Sequence, residues 1–147
     1  MNLLVATDFS PQTKKVLDVA RRLALALDAS LYVLHVAMPE PQFKTYTAGE
    51  RQDREETAAE YREEHRLLHE ATDSMRDAGI DATALMVKGP PAKAIIEEAD
   101  RLDADLIVVG SHGFGAVFKM LLGSVSSAVL KKARRPVLIV PADRDAG

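Results

Sequence analysis

Leu3-Leu4-Val5-Ala6-Thr7-Asp8-Phe9-Ser10-Pro11 decides how this chain folds. Four apolar residues follow one another without a break, and Thr7-Asp8 closes the run. Such a run predicts a strand buried on both faces. Ser10-Pro11 then predicts a helix start, with Ser as N-cap and Pro at the first helical position. Val16, Val19, Ala20, Leu23, Ala24 and Leu27 recur at three- and four-residue spacing. They form one apolar stripe on a helix of about four turns.

The same alternation continues outward from this unit. Leu31-Tyr32-Val33-Leu34-His35-Val36 predicts a second strand, and Ala37 to Gly49, with Pro39 and Pro41, predicts a loop. Glu50 to Ala78 is highly charged, with a thin stripe at Tyr61, Leu68, Ala71 and Met75. It predicts a long, mostly solvated helix stopped by Gly79, the usual residue just past a helix end. Ala82 to Val87 predicts a third strand. Gly89-Pro90-Pro91 opens a helix that turns Ile95, Ile96 and Ala99 inward. Asp105-Leu106-Ile107-Val108-Val109 predicts a fourth strand. Glycine punctuates the stretch from Gly110 to Gly123, Ser124 caps a helix to about Arg134, and Pro136 cannot continue it. Val137 to Val140 predicts a fifth strand, ended by Pro141. Five strands alternating with four helices imply right-handed βαβ units and a parallel sheet covered on both faces, an α/β fold.

Composition narrows the function classes. Apolar residues make up 47% of the 147 and charged residues 28%, ordinary globular usage that excludes a mainly disordered chain. The absence of cysteine removes disulfides, thiolate catalysis and zinc-ribbon sites together. Twenty-two acidic against 19 basic residues give a net charge of −3, which argues against a nucleic-acid partner. No stretch approaches the roughly 20 apolar residues of a membrane span. The N-terminus lacks a basic region and a cleavage-like site, so no signal peptide is expected and the cytoplasm is the expected location. No repeat, low-complexity tract or linker divides residues 1–147, which predicts one domain.

Open parallel sheets bind ligands outside the carboxyl ends of their strands, where strand order reverses. The first strand ends in Ala6-Thr7-Asp8-Phe9-Ser10, the fourth in Val109-Gly110-Ser111-His112-Gly113-Phe114-Gly115. If these strands are neighbours at the reversal, the two segments face each other across one crevice. Glycine lets backbone amides approach an anion closely, and successive amides in such a turn form an anion-binding nest. Ten residues after Gly113 comes Gly123-Ser124-Val125-Ser126-Ser127, a helix start with amides and hydroxyls suited to phosphate. Two amide-rich loops at one strand end suggest a polyphosphate ligand; the competing reading makes the glycines plain turn residues. No Gly-Lys-Ser/Thr occurs, so this is not a Walker loop, and Gly110 to Gly115 does not read G-x-G-x-x-G.

Gly110, Gly113, Gly123 and Ser124 together read G-x-x-G-(nine residues)-G-S. That spacing resembles the ATP-binding signature of the universal stress protein family. Leu4-Val5-Ala6-Thr7-Asp8-Phe9-Ser10 resembles the family's opening strand, Leu34-His35-Val36 the end of its second, and Val87-Lys88-Gly89-Pro90 the turn after its third. Leu122-Gly123-Ser124-Val125-Ser126 and Pro136 to Pro141 resemble its C-terminal signature. The resemblance implies a three-layer, adenine nucleotide alpha-hydrolase-like fold with strand order 3-2-1-4-5, and one nucleotide-binding domain over residues 1–147. It implies ATP at the reversal point, with Mg²⁺ or Mn²⁺, and a homodimer formed through the last strand. Ala6, Thr7 and Asp8 would border the adenosine, with Val36 against adenine, and Val109 and Gly110 would continue that wall. Gly113, Gly123, Ser124, Val125 and Ser126 would hold ribose and phosphates. The dimer has a physical motive as well, because pairing an apolar edge with a second copy removes an aggregation hazard.

Single residues sharpen the reading. Asp8 is expected to contact the ligand or to hold a metal through water, against a plain role in capping the turn into the first helix. His112 has no carboxylate in its segment to orient it, so loop structure or backbone contact to the nucleotide outweighs acid–base catalysis. His35 reads as a packed core residue. His65 and His69 have metal-compatible i, i+4 spacing but no third ligand, so a solvated face is expected. Lys119 would reach a phosphate only if the glycine segment folds over it. The expected function is a dimeric ATP-binding regulator of the stress response or of a partner protein. The alternatives are a slow Mg-dependent ATPase, for which no arginine finger, P-loop lysine or paired base is evident, and an interaction module that binds no nucleotide.

Overall fold

A computed structural model describes residues 1–37, 48–112 and 122–142, with side chains from 58 onward in the long second helix. The elements run β1 (Asn2–Thr7), α1 (Thr13–Leu27), β2 (Ser30–Ala37), α2 (Ala48–Asp77), β3 (Ala82–Lys88), α3 (Pro91–Arg101), β4 (Leu106–Gly110), α4 (Ser124–Lys132) and β5 (Val137–Val140). All strand pairs are parallel and the order is β3-β2-β1-β4-β5, as the resemblance implied. The reversal falls between β1 and β4, where Leu3, Leu4 and Val5 pair with Leu106, Ile107 and Val108.

The unbroken apolar run of β1 is explained by two cores, one on each side of the sheet. Leu3 and Val5 pack with Val16, Ala20 and Ala24 of α1 and Leu68 and Met75 of α2. Leu4 and Ala6 pack on the opposite side with Ala94, Ile95 and Ala99 of α3 and Val129 of α4. Leu3, Leu4, Val5, Leu31, Val33 and Leu34 have no exposed surface. Each such side chain contributes roughly 1.5–3 kcal/mol of transfer free energy, so the central strands hold both layers of helices.

Helix ends differ in detail from the sequence reading. Ser10-Pro11 makes a turn, with the Thr13 amide donating to the Ser10 carbonyl at 2.9 Å. The helix itself begins at Thr13, with Gln12 at the N-cap and no side-chain capping bond. The reason lies in Asp8, whose carboxylate takes the Ser10 amide and holds that residue outside the helix. Leu27, expected on the buried stripe, is 45% exposed at the end of α1. Gly123, not Ser124, occupies the N-cap of α4. The stop at Gly79 is as expected: its φ of +90° is a conformation that glycine adopts without steric cost. The Ile80 amide closes the turn on the Met75 carbonyl at 3.1 Å.

Candidate functional site

At the end of β1, Asp8 folds the chain back on itself. Its Oδ1 accepts the Ser10 amide at 2.9 Å and lies 3.4 Å from the Thr13 hydroxyl. This is an Asx turn, in which the side chain imitates a backbone acceptor. The Thr7 hydroxyl donates to Thr13 Oγ1 at 3.1 Å and accepts the Phe9 amide at 3.2 Å. Phe9 has φ +57°, a rare conformation for a bulky residue. Its ring rests on that of His35, with centroids 4.7 Å apart.

His35 is a core residue, 3% exposed, as read from the sequence, and it also ties three elements together. Its Nδ1 lies 2.9 Å from the Thr7 carbonyl oxygen. A carbonyl only accepts, so Nδ1 carries a proton. Nε2 faces Glu64 Oε2 of α2 at 3.1 Å, close in distance but not aligned for a hydrogen bond.

Ser111 joins the two bends on the rim. Its amide donates to the Val140 carbonyl at 2.8 Å, and its own carbonyl accepts the Gly123 amide at 2.6 Å and the Ser126 hydroxyl at 2.9 Å. Its hydroxyl accepts the Ala142 amide at 3.0 Å and lies 2.9 Å from His112 Nδ1. The start of α4 is thereby fixed beside the end of β4. A Cβ on Gly123 would stand 3.2 Å from the Ser111 carbonyl oxygen and 3.6 Å from the His112 Cα. The amides of Ser124, Val125 and Ser126 are first-turn donors, which an α-helix cannot satisfy internally. None of the hydrogen bonds among the described residues uses them.

Gln12 is the residue that the sequence reading missed. Its Nε2 donates to the Val140 carbonyl at 2.8 Å, and its Oε1 accepts the His112 amide at 3.2 Å. The carboxamide lies directly over Gly110, where a Cβ would meet Oε1 at 2.9 Å. Gln12 therefore bridges the β1–α1 turn to the ends of β4 and β5. Together with Ala6, Thr7, Asp8, Gly110 and His112 it lines a cavity of about 10 Å³, room for about one water molecule. No sequence signal marks Gln12, because its partners lie 100 and 128 residues away.

The expected site residues thus gather at one end of the sheet, in two depths. Asp8, Gly110, His112 and Val125 are half-buried and Ser124 is exposed. Ala6, Thr7, Val36, Val109, Gly123 and Ser126 are buried, and Ala6, Val36 and Val109 pack in the core beneath α3 and α4. The Ser126 hydroxyl is turned inward to Ser111, which leaves the Ser126 amide as what it presents to the rim. Gly113 and Lys119 lie outside the described residues. Among the described residues no cluster of three or more His, Cys, Asp or Glu is placed to hold a metal ion.

A doubly wound parallel sheet with an amide-lined rim at its strand-order reversal defines a class of α/β proteins whose ligands sit at that point. Comparison with known proteins supplies the family. The profile described as Universal stress protein family matches residues 1–141, and the chain belongs to that family. The protein is 34% identical over 143 residues to universal stress protein YxiE of Bacillus subtilis, covering 94% of this chain and 97% of that one. A universal stress protein solved in complex with cAMP superposes with a TM-score of 0.70 at 31% identity, over 96% of each chain. The universal stress protein of Archaeoglobus fulgidus solved in complex with dAMP gives 0.63 at 26% identity, over 95% of this chain and 97% of that one.

Proposed function

We propose that this protein is a nucleotide-binding regulator, which holds ATP at the β1–β4 reversal and acts as a homodimer in the cytoplasm. The observation that carries the reading is the pair of hydrogen bonds that Gly123 and Ser126 donate to the Ser111 carbonyl. It sets the first-turn amides of α4, which no hydrogen bond among the described residues uses, beside the bend after β4. A helix N-terminus with unspent amides suits a phosphate group. Relatives solved with cAMP and dAMP support an adenine nucleotide. Residues 1–147 act as one nucleotide-binding domain in this reading.

In the bound state Ala6, Thr7 and Asp8 border the adenosine, with Val36, Val109 and Gly110 behind the base. His112 contributes its backbone, and Gly113, Gly123, Ser124, Val125 and Ser126 bind ribose and phosphates. Magnesium or manganese would travel with the triphosphate, with Asp8 as a water-mediated ligand. The dimer forms through Val137 to Val140: β5 pairs with β4 alone and its outer edge carries no strand among the described residues. An unpaired edge is a template for a second copy.

One observation favours the interaction module that binds no nucleotide: Gln12 already accepts the His112 amide and covers Gly110. Isothermal titration with Mg-ATP and with cAMP separates the two. Saturable heat together with a rise in melting temperature supports the nucleotide reading. No heat and no thermal shift at millimolar nucleotide rejects it, and leaves a chain whose crevice is sealed by its own side chain.

A further inference from the structure

The long helix carries a pair of histidines that neither the crevice nor the core employs. His65 and His69 are both exposed on α2, and their Nε2 atoms stand 3.2 Å apart. Their ring centroids are 4.3 Å apart, so the two imidazoles lie on the same turn-to-turn seam of the helix. Spacing alone gave no reason to set them above any solvated pair; the contact between the two ring nitrogens is what distinguishes them.

We infer that His65 and His69 form a bidentate chelate for a divalent first-row transition metal, copper(II) foremost. A metal bound to imidazole nitrogen at about 2.0–2.1 Å from each Nε2 would subtend an N–metal–N angle of about 100° at the observed separation. That angle lies between the right angle of a tetragonal site and the tetrahedral value, so the backbone need not move. Two imidazolium rings would set donor against donor at 3.2 Å, so the contact requires at least one neutral ring, the form that coordinates. Exposed side chains meet no packing that would oppose the small ring rotation bringing both lone pairs onto one ion.

The surroundings favour a cation. Residues 58–77 carry six carboxylates, Glu60, Glu63, Glu64, Glu70, Asp73 and Asp77, against three arginines. Arg66, the arginine between the two histidines, is held by Glu63 at 2.6 Å and Glu70 at 2.9 Å, which spreads its charge into an ion-pair network. Imidazole ligands with open remaining positions rank copper(II) above nickel(II) and zinc(II). The remaining positions would be filled by water. This inference is independent of the nucleotide reading, since α2 contributes nothing to the rim of β4 and α4.

The test is titration of the full chain with copper(II) sulfate in a buffer without nitrogen donors, with nickel(II) and zinc(II) run in parallel. It is followed by isothermal titration and by electron paramagnetic resonance for the nitrogen count. One ion per chain is expected, in the affinity order copper, nickel, zinc, with two nitrogen ligands in the copper spectrum. His65→Ala and His69→Ala should each weaken binding about 100-fold, because the second ligand of a chelate binds intramolecularly. The double variant, which keeps neither imidazole, should lose the binding that each single variant retains through its one remaining ring. Circular dichroism checks that each variant keeps its helix. Copper binding unchanged in both single variants, or a single-nitrogen spectrum in the native chain, would overturn the assignment.

Discussion

The Ser126 hydroxyl donates to the Ser111 carbonyl oxygen at 2.9 Å, so the first turn of α4 is bolted to the bend after β4. The Gly123 amide occupies the same oxygen at 2.6 Å, and the two lone pairs of that carbonyl are both used. Ser126→Ala removes one of the two bonds at a residue that is 3% exposed. The expected loss is about 1 kcal/mol, or about 3 °C in melting temperature for a chain of this length. Nucleotide affinity should fall as well, because the amides of Ser124 to Ser126 lose their fixed aim. A thermal melt and an ATP titration on the same variant check both effects. An unchanged melting temperature would show that Gly123 alone holds the joint.

Gly110 and Gly123 should respond differently to the same added methyl. A Cβ on Gly110 stands 2.9 Å from Gln12 Oε1 and 3.2 Å from the His112 carbonyl oxygen, so the Gln12 carboxamide must leave. Gly110→Ala is expected to cost about 1–3 kcal/mol as an overpacked site. Gly123 has φ −69° and ψ 165°, backbone that any residue adopts, and its tightest contact would be 3.2 Å. Gly123→Ala should cost less than about 1 kcal/mol while still thinning the approach to the α4 amides. Chemical denaturation ranks the two; equal losses would mean that Gln12 moves aside freely.

Gln12 allows the crevice to be opened or spoiled by one side chain. Gln12→Ala deletes the bridge to Val140 and His112 and returns the His112 amide to the rim, so nucleotide should bind more tightly even though the fold loses about 1 kcal/mol. Gln12→Glu instead sets a carboxylate against the Val140 carbonyl and places negative charge where phosphate is proposed. It should lower both stability, by about 1–3 kcal/mol, and affinity. Calorimetry on the pair reads the difference. Tighter binding by Gln12→Glu would mean that the anion does not approach this corner.

How far the sequence reached follows from the range of the interactions involved. The β1 run, the 3.6-residue stripe of α1 and the stop at Gly79 are local patterns; each appears where it was expected, except that the stripe ends before Leu27. Strand order was not readable from periodicity, since nothing in Leu3 to Ala6 says which strands flank it; it came with the family resemblance and agrees with the register. The helix start was misplaced because Ser10-Pro11 obeys two local rules at once, and the Asp8 carboxylate overrides the capping one. Gln12 was invisible because a side chain bridging to residues 112 and 140 leaves no trace in its own neighbourhood. Val36 and Val109 were read as ligand walls; they are buried with Ala6 at the strand ends, in the core beneath the rim.

Acid should loosen α2 by a defined route. The Arg66 guanidinium hydrogen-bonds Glu63 and holds its carboxyl below the usual carboxylate range. A native value below the unfolded one means that the pair stabilises the fold above the unfolded carboxylate range, and that this contribution fades as pH falls through the lowered native value. Exposure keeps the effect small and salt-sensitive. In carbon-detected NMR titration Glu63 should titrate lower than it does in Arg66→Gln. Identical midpoints in the two proteins would mean that the ion pair is not populated in solution.

Asp8 separates its two proposed roles through the choice of replacement. As a turn former it accepts the Ser10 amide at 2.9 Å through Oδ1, a task that an asparagine carbonyl oxygen performs equally well. As a ligand or metal-facing group it needs its negative charge, which asparagine lacks. Asp8→Asn should therefore melt within about 0.5 kcal/mol of the parent, yet bind Mg-ATP more weakly. Asp8→Ala should lose the turn as well, at a further cost of about 1 kcal/mol, because the Ser10 amide is left without its acceptor. Melting curves and ATP titrations on the two variants give four numbers, and the diagnostic one is the affinity of Asp8→Asn. If it matches the parent while Asp8→Ala is unstable, Asp8 serves only the turn into α1, and recognition of the nucleotide rests on the amides around Ser111 and Gly123.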